Sequence, residues 1–136
     1  MYKPVLNIHS PEEAEVVFYE AFMHGDIEVM SALWANSDVV CIHPGSRIIS
    51  GYEAVMRSWT HILENTQGAD VRYRTMKKNQ SDRLAVHVVF EEIMNSSITV
   101  AEVISTNVYQ RFDRSWMMIQ HQAAVVQQKR RDGALQ

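Results

Sequence analysis

Cysteine is almost missing from this sequence: Cys41 is the only one among 136 residues. An intrachain disulfide is therefore excluded, and a reducing compartment is the expected setting. An excess of positive charge is missing as well. The formal net charge is −3 at pH 7, which argues against nucleic acid or an anionic membrane as the main partner. No stretch approaches the roughly 20 apolar residues needed to cross a bilayer. The opening residues MYKPVLNIHSPEE have no long apolar core behind a basic start, so no secretory signal is expected there. There are no internal repeats and no low-complexity segment. What is present is an ordinary globular balance, 46% apolar and 21% charged residues, in a chain long enough to bury a core without staples. These features lead to an expectation of a cytoplasmic protein with one domain over residues 1–128. The tail 129–136 carries no buried pattern, and Lys129-Arg130-Arg131 is too short a basic run to imply nucleic acid.

The first half of the chain reads as helix. Ser10-Pro11-Glu12-Glu13 combines an N-cap serine, proline at the first helical position and a glutamate that completes a capping box. Ala14, Val17, Phe18, Ala21 and Phe22 follow at the spacing of one apolar helix face. Gly25 can stop that helix in a left-handed conformation, and Asp26 can cap a short second one bearing Ile27, Met30, Leu33 and Trp34 on one side. A strand-like VVCI comes next. Ser50-Gly51-Tyr52-Glu53 then reads as a capping box for a third helix, with Tyr52, Val55, Met56, Trp59, Ile62 and Leu63 as its buried stripe.

After residue 70 the period changes from 3.6 to 2. VRYRTMKKN, LAVHVVFEEIMN, ITVAEVISTNVYQRF and SWMMIQHQAAVV are rich in β-branched and aromatic residues, and hairpin-length breaks separate them. The expected class is α+β: three helices on a curved, mainly antiparallel sheet of about four to six strands. Val86, Val88 and Phe90 alternate with Ala85 and Val89, so both faces of that strand carry apolar groups. The second face is expected to meet another subunit, giving a homodimer through the sheet. Arg72 and Arg74 share one face of the first long strand and read as a solvated edge.

This order of elements resembles the nuclear-transport-factor-two-like (cystatin-like) cone, and specifically its SnoaL-like branch. The residues that carry the resemblance are Gly25-Asp26-Ile27-Glu28 with Leu33-Trp34-Ala35, then Val39-Val40-Cys41-Ile42-His43-Pro44-Gly45. Ser58-Trp59 after Gly51, and Asn107-Val108-Tyr109-Gln110-Arg111 before a last strand containing Trp116, extend it over roughly residues 10–126. The resemblance implies a sheet wrapped around a helix with an apolar cavity open at one end. Family members include ketosteroid isomerases, cyclases and dehydratases, and fold alone does not choose among them.

His43 stands where the isomerases of this superfamily place an aspartate base. Histidine suits proton transfer near neutral pH, but the same residue before Pro44-Gly45 can equally be the polar end of a strand. The resemblance places an oxyanion donor of those enzymes at Phe18, which has none to offer, and a second near Asn107. The histidine run of the last strand is reduced to His121, on an apolar face by alternation with Met117, Ile119 and Ala123. Either face of that strand could line the cavity. Phe18, Trp34, Trp59, Tyr73, His87, Phe90 and Tyr109 are the expected cavity wall, and Cys41 is expected to be inert. No HxH or HExxH spacing suggests a metal, so no metal and no cofactor are expected. The functional expectation is a domain binding a small, largely apolar carbonyl or aromatic metabolite, with His43 the base if a reaction runs. The alternatives are a cofactor-independent isomerase, cyclase or dehydratase, and an association domain whose dimer is its function.

Overall fold

A computed structural model describes residues 5–66 and 69–126. Its elements are α1 (Pro11–His24), α2 (Ile27–Leu33), β1 (Val40–Ile42), β2 (Ile49–Ser50), α3 (Tyr52–Thr66), β3 (Asp70–Gln80), β4 (Leu84–Asn95), β5 (Ile98–Phe112) and β6 (Ser115–Val125). The class is α+β, with three helices and a six-stranded mixed sheet. The tail expected at 129–136 lies outside the described residues. Among them, no helix is long and apolar enough to cross a membrane.

The local signals act as the side chains demand. The Ser10 hydroxyl accepts from the Glu13 N–H at 3.0 Å, and the Glu13 carboxylate reaches back to the His9 N–H at 2.7 Å. At the other end of α1, Gly25 adopts φ 63° and its N–H meets the carbonyls of Ala21 and Phe22. Only a residue without a Cβ sits there at no steric cost. Asp26 caps α2 through the Val29 N–H. The third start differs from expectation. Ser50 belongs to β2, and Gly51, with φ 91°, takes the position before the helix while its carbonyl receives the Val55 N–H.

The sheet order is β2-β1-β6-β5-β4-β3. The four long strands form an antiparallel meander, and β1 adds to its edge in parallel with β6, pairing Cys41 with His121. The β4–β5 hairpin turns on Ser96 and Ser97, both at positive φ, which matches the right-handed twist of the strands it joins.

A bulge in β6 corrects the alternation read from sequence. Val108 pairs with Gln120 but Tyr109 pairs with Met118, so Ile119 is the extra residue. One inserted residue reverses the facing of everything beyond it. Trp116 and Met118 are therefore buried on the same face as His121 and Ala123, while Gln120 and Gln122 are not buried.

One buried cluster joins the elements. It takes Phe18, Tyr19 and Ala21 from α1, Met30 and Leu33 from α2, Val55, Trp59 and Leu63 from α3, and Val71, Ala85, Val89, Tyr109 and Met118 from the sheet. Aromatic edges organise its centre: Phe18 meets Trp59 at 5.5 Å and Tyr19 at 4.8 Å, both T-shaped, and Tyr19 stacks on Tyr73 at 4.0 Å. Such pairs each add about 0.5–1.5 kcal/mol beyond the area they bury.

Candidate functional site

β1 ends at Ile42, so His43 leaves the sheet where β1 runs beside His121 of β6. The two rings lie 6.2 Å apart, and the Trp59 indole meets His43 edge-on at 4.8 Å. Together they border a cavity of about 220 Å³, whose other walls include Phe22, Glu91, Ile93 and Ala123. At roughly 30 Å³ per water it has room for about seven. It is smaller than the pockets of about 300–1,000 Å³ that hold drug-sized ligands.

The polar groups are few and closely bound. The Ser58 hydroxyl donates to the Val55 carbonyl at 2.7 Å, so at 3.0 Å from His43 it accepts from Nε2–H. A second chain crosses the core. The Tyr19 hydroxyl donates to Glu91 Oε2 at 2.5 Å and accepts from Asn107 Nδ2 at 3.1 Å, and Asn107 Oδ1 lies 2.6 Å from His121 Nδ1.

Burial controls the charge state of these groups. Desolvation lowers His43 to about 4, and desolvation together with the neighbouring His43 lowers His121 to about 3. Both rings are neutral near pH 7 and can take a proton. Burial raises the Glu91 carboxyl above its usual range, while the Tyr19 and Ser105 hydroxyls pull the other way. Burial, with the adjacent Glu91, holds the Tyr19 phenol far above its ordinary value, so it stays a donor. Cys41 is pushed up to about 12 by burial and is a thiol, not a nucleophile.

Of the expected site residues, His43, His121 and Trp59 meet at the cavity. Asn107 stands one hydrogen bond behind it, and Phe18 packs against His121 at 5.1 Å. Phe90 corrects the expectation. It follows the buried Val89 and precedes the buried Glu91, so it projects from the opposite face, where Arg74 lies 5.8 Å from its ring. Trp34 and Tyr109 are core residues, and none of Trp34, Tyr73, His87 and Tyr109 borders this cavity. His87 instead bonds Glu15 at 2.8 Å, and Thr75 completes that cluster. Sequence reasoning missed Glu91 and Tyr19 as site groups. Glu91 had a signal: it continues the phase of Ala85, His87 and Val89, so a carboxylate on that face is buried. Among the described residues, no three His, Cys, Asp or Glu side chains gather in a metal-holding arrangement.

This fold recurs in solved structures. A Thiobacillus denitrificans protein assigned as a calcium/calmodulin-dependent protein kinase type II association domain superposes with TM-score 0.84 at 28% identity, covering 91% of this chain and 99% of that one. A Streptomyces avermitilis protein of the nuclear-transport-factor-two-like family, assigned as a dehydratase, gives 0.75 at 27% identity over 85% and 93%. The F-box protein SKIP8 of Arabidopsis thaliana is 28% identical over 110 residues, 80% of this chain, and the chain spans 46% of that relative's length. The SnoaL-like domain model matches residues 12–128, and the chain belongs to that family.

Proposed function

We propose that this chain binds a small, largely apolar metabolite in the cavity between His43 and His121. The sheet and helices would form the cone of the family around it. The observation that carries the proposal is two neutral histidines and a buried glutamate bordering an otherwise apolar space of about 220 Å³. The hydrogen bonds of His121 and Glu91 run back into the core, to Asn107 and Tyr19, so a ligand carrying one polar group would suit the space they border. Phe22 and Trp59 favour a flat, aromatic-sized body, and the volume favours one ring over several. Proton transfer by an unprotonated histidine is the chemistry the walls could supply without a cofactor. Steroid-type isomerisation is disfavoured, since Phe18 has no donor and the Tyr19 hydroxyl is spent on Glu91.

A thermal-shift screen with monocyclic metabolites tests this on wild type and His43→Ala. Binding to the native state raises the melting point by mass action. Hits that weaken about tenfold or more in the mutant support the cavity, and hits indifferent to it place the ligand elsewhere.

Assembly follows from the other side of the sheet. Val86, Val88, Phe90, Thr106 and Val108 are only half-buried there. The proposal includes a homodimer through this face, in the cytoplasm. Val88→Asp should then convert a dimer to monomers in sedimentation velocity, and a wild-type monomer would refute the assembly.

A further inference from the structure

The hydrogen-bond directions behind the cavity are fixed by chemistry. The Tyr19 phenol has one proton, and it goes to the Glu91 carboxylate, an acceptor-only group when ionised. The phenol oxygen then accepts from the Asn107 amide nitrogen. An amide oriented that way presents Oδ1 to His121, so His121 Nδ1 must carry the proton. On a neutral imidazole this leaves Nε2 as a lone pair, on a ring that borders the cavity. His43 is fixed in the opposite sense, with Nε2–H spent on Ser58 and Nδ1 unprotonated. The third polar wall group, Glu91, is an acceptor too. None of these three side chains has a proton left to donate into the cavity. Pro44, Phe22, Ile62, Ala69, Ile93, Val103 and Ala123 have no polar side-chain atom, and the one other donor of this wall, the Trp59 indole N–H, is fully buried on the side of the Cys41 thiol instead of being exposed to the cavity.

From this, resting on the cavity-binding reading above, we propose that the site selects a hydrogen-bond donor. Its ligand class is a small aromatic or alicyclic alcohol or phenol, whose hydroxyl donates to His121 Nε2, and carbonyl compounds of the same shape are disfavoured. A carbonyl oxygen there faces acceptors only and loses its hydrogen bonds to water without replacement. Tyr19 and Asn107 are positioning residues: neither borders the cavity, and both act by holding the His121 tautomer.

The test uses 1-phenylethanol and acetophenone, which share a carbon skeleton and differ in alcohol against ketone. Chemical-shift titration of the full chain gives both affinities, and long-range proton–nitrogen spectra of nitrogen-labelled histidine report which nitrogen of His121 is protonated. The expected result is His121 in the Nδ1–H form and the alcohol tighter by about tenfold, the scale of one satisfied against one unsatisfied hydrogen bond. Tyr19→Phe keeps the ring and frees the Asn107 amide to turn. Loss of both the single tautomer and the alcohol preference in that variant supports the positioning role. Equal or tighter binding of acetophenone overturns the selection while leaving the cavity reading intact. His121 found as Nε2–H overturns it too, because the chain would then run in reverse from a protonated Glu91. Neither compound shifting the cavity resonances overturns the cavity reading and this inference with it.

Discussion

Two buried tyrosines on the same core show how differently one residue type can be used. Tyr19 hangs from α1 and joins Glu91 to Asn107 through its hydroxyl. Tyr109 lies on β5, packed edge-on against His87 at 5.3 Å, and its buried hydroxyl has no hydrogen-bond partner among the described residues. Around them lie two polar clusters built on the same two elements. Glu15 of α1 meets His87 of β4, and one helical turn along Tyr19 meets Glu91, four residues along the strand. The first cluster closes on itself through Thr75. The second continues through Asn107 to His121 and ends at a cavity. A buried polar group therefore says little about function until the far end of its chain is followed.

The sharpest break of this contrast is Glu15→Ala. It leaves the fully buried His87 without its partner, and loss of one member of a buried pair should cost about 3 kcal/mol. Urea unfolding measures it, and ligand affinity at the cavity should change little. A cost below about 1 kcal/mol would show that the pair contributes little to the core. The tyrosines come next and should differ in sign. Tyr19→Phe strands Glu91 and Asn107 and should cost about 2 kcal/mol, whereas Tyr109→Phe removes an unbonded hydroxyl and should stabilise by about 1 kcal/mol. Equal effects from the two substitutions would erase the distinction.

How much of this could be read from the residues depends on the kind of signal. The helix starts at Ser10 and Asp26, the stop at Gly25 and the four long strands are local patterns, and they stand where the capping chemistry and the period of two put them. The Ile119 bulge has no such pattern, because it is set by pairing with β5, and it reversed the facing expected for Met118. His43 and His121 could be picked out as candidates, but their closeness comes from β1 joining β6 in parallel, a contact across some 80 residues of chain. Phe90 was misplaced because both faces of β4 are apolar, so alternation alone does not say which one is inside. Glu91 shared the phase of Ala85, His87 and Val89, and its carboxylate was legible as buried once that phase was known.

A smaller effect sharpens the electrostatics. His43 and His121 titrate near 4 and 3 when folded, against 6.5 for the ordinary side chain. The unfolded chain therefore binds more protons in this window, and the stability these groups contribute is fully present above about pH 6.5. It should be lost progressively as pH falls toward 4 and then 3. Glu91, shifted upward, works in the opposite sense and loses its contribution as pH rises through its raised value. Urea midpoints across this range should show the acid limb, and His121→Asn should flatten it. An unchanged slope in that variant would mean His121 does not resist protonation when folded.

The most direct test of the account is a map of where a small aromatic alcohol binds. Titrating 1-phenylethanol into isotope-labelled protein should move the Trp59 indole, the Ala123 methyl and the rings of His43 and His121. Resonances of His87 and Tyr109, in the closed cluster, should stay in place. Shifts centred on His87 and Tyr109, or on the outer face around Phe90, would contradict the assignment of the cavity as the binding site.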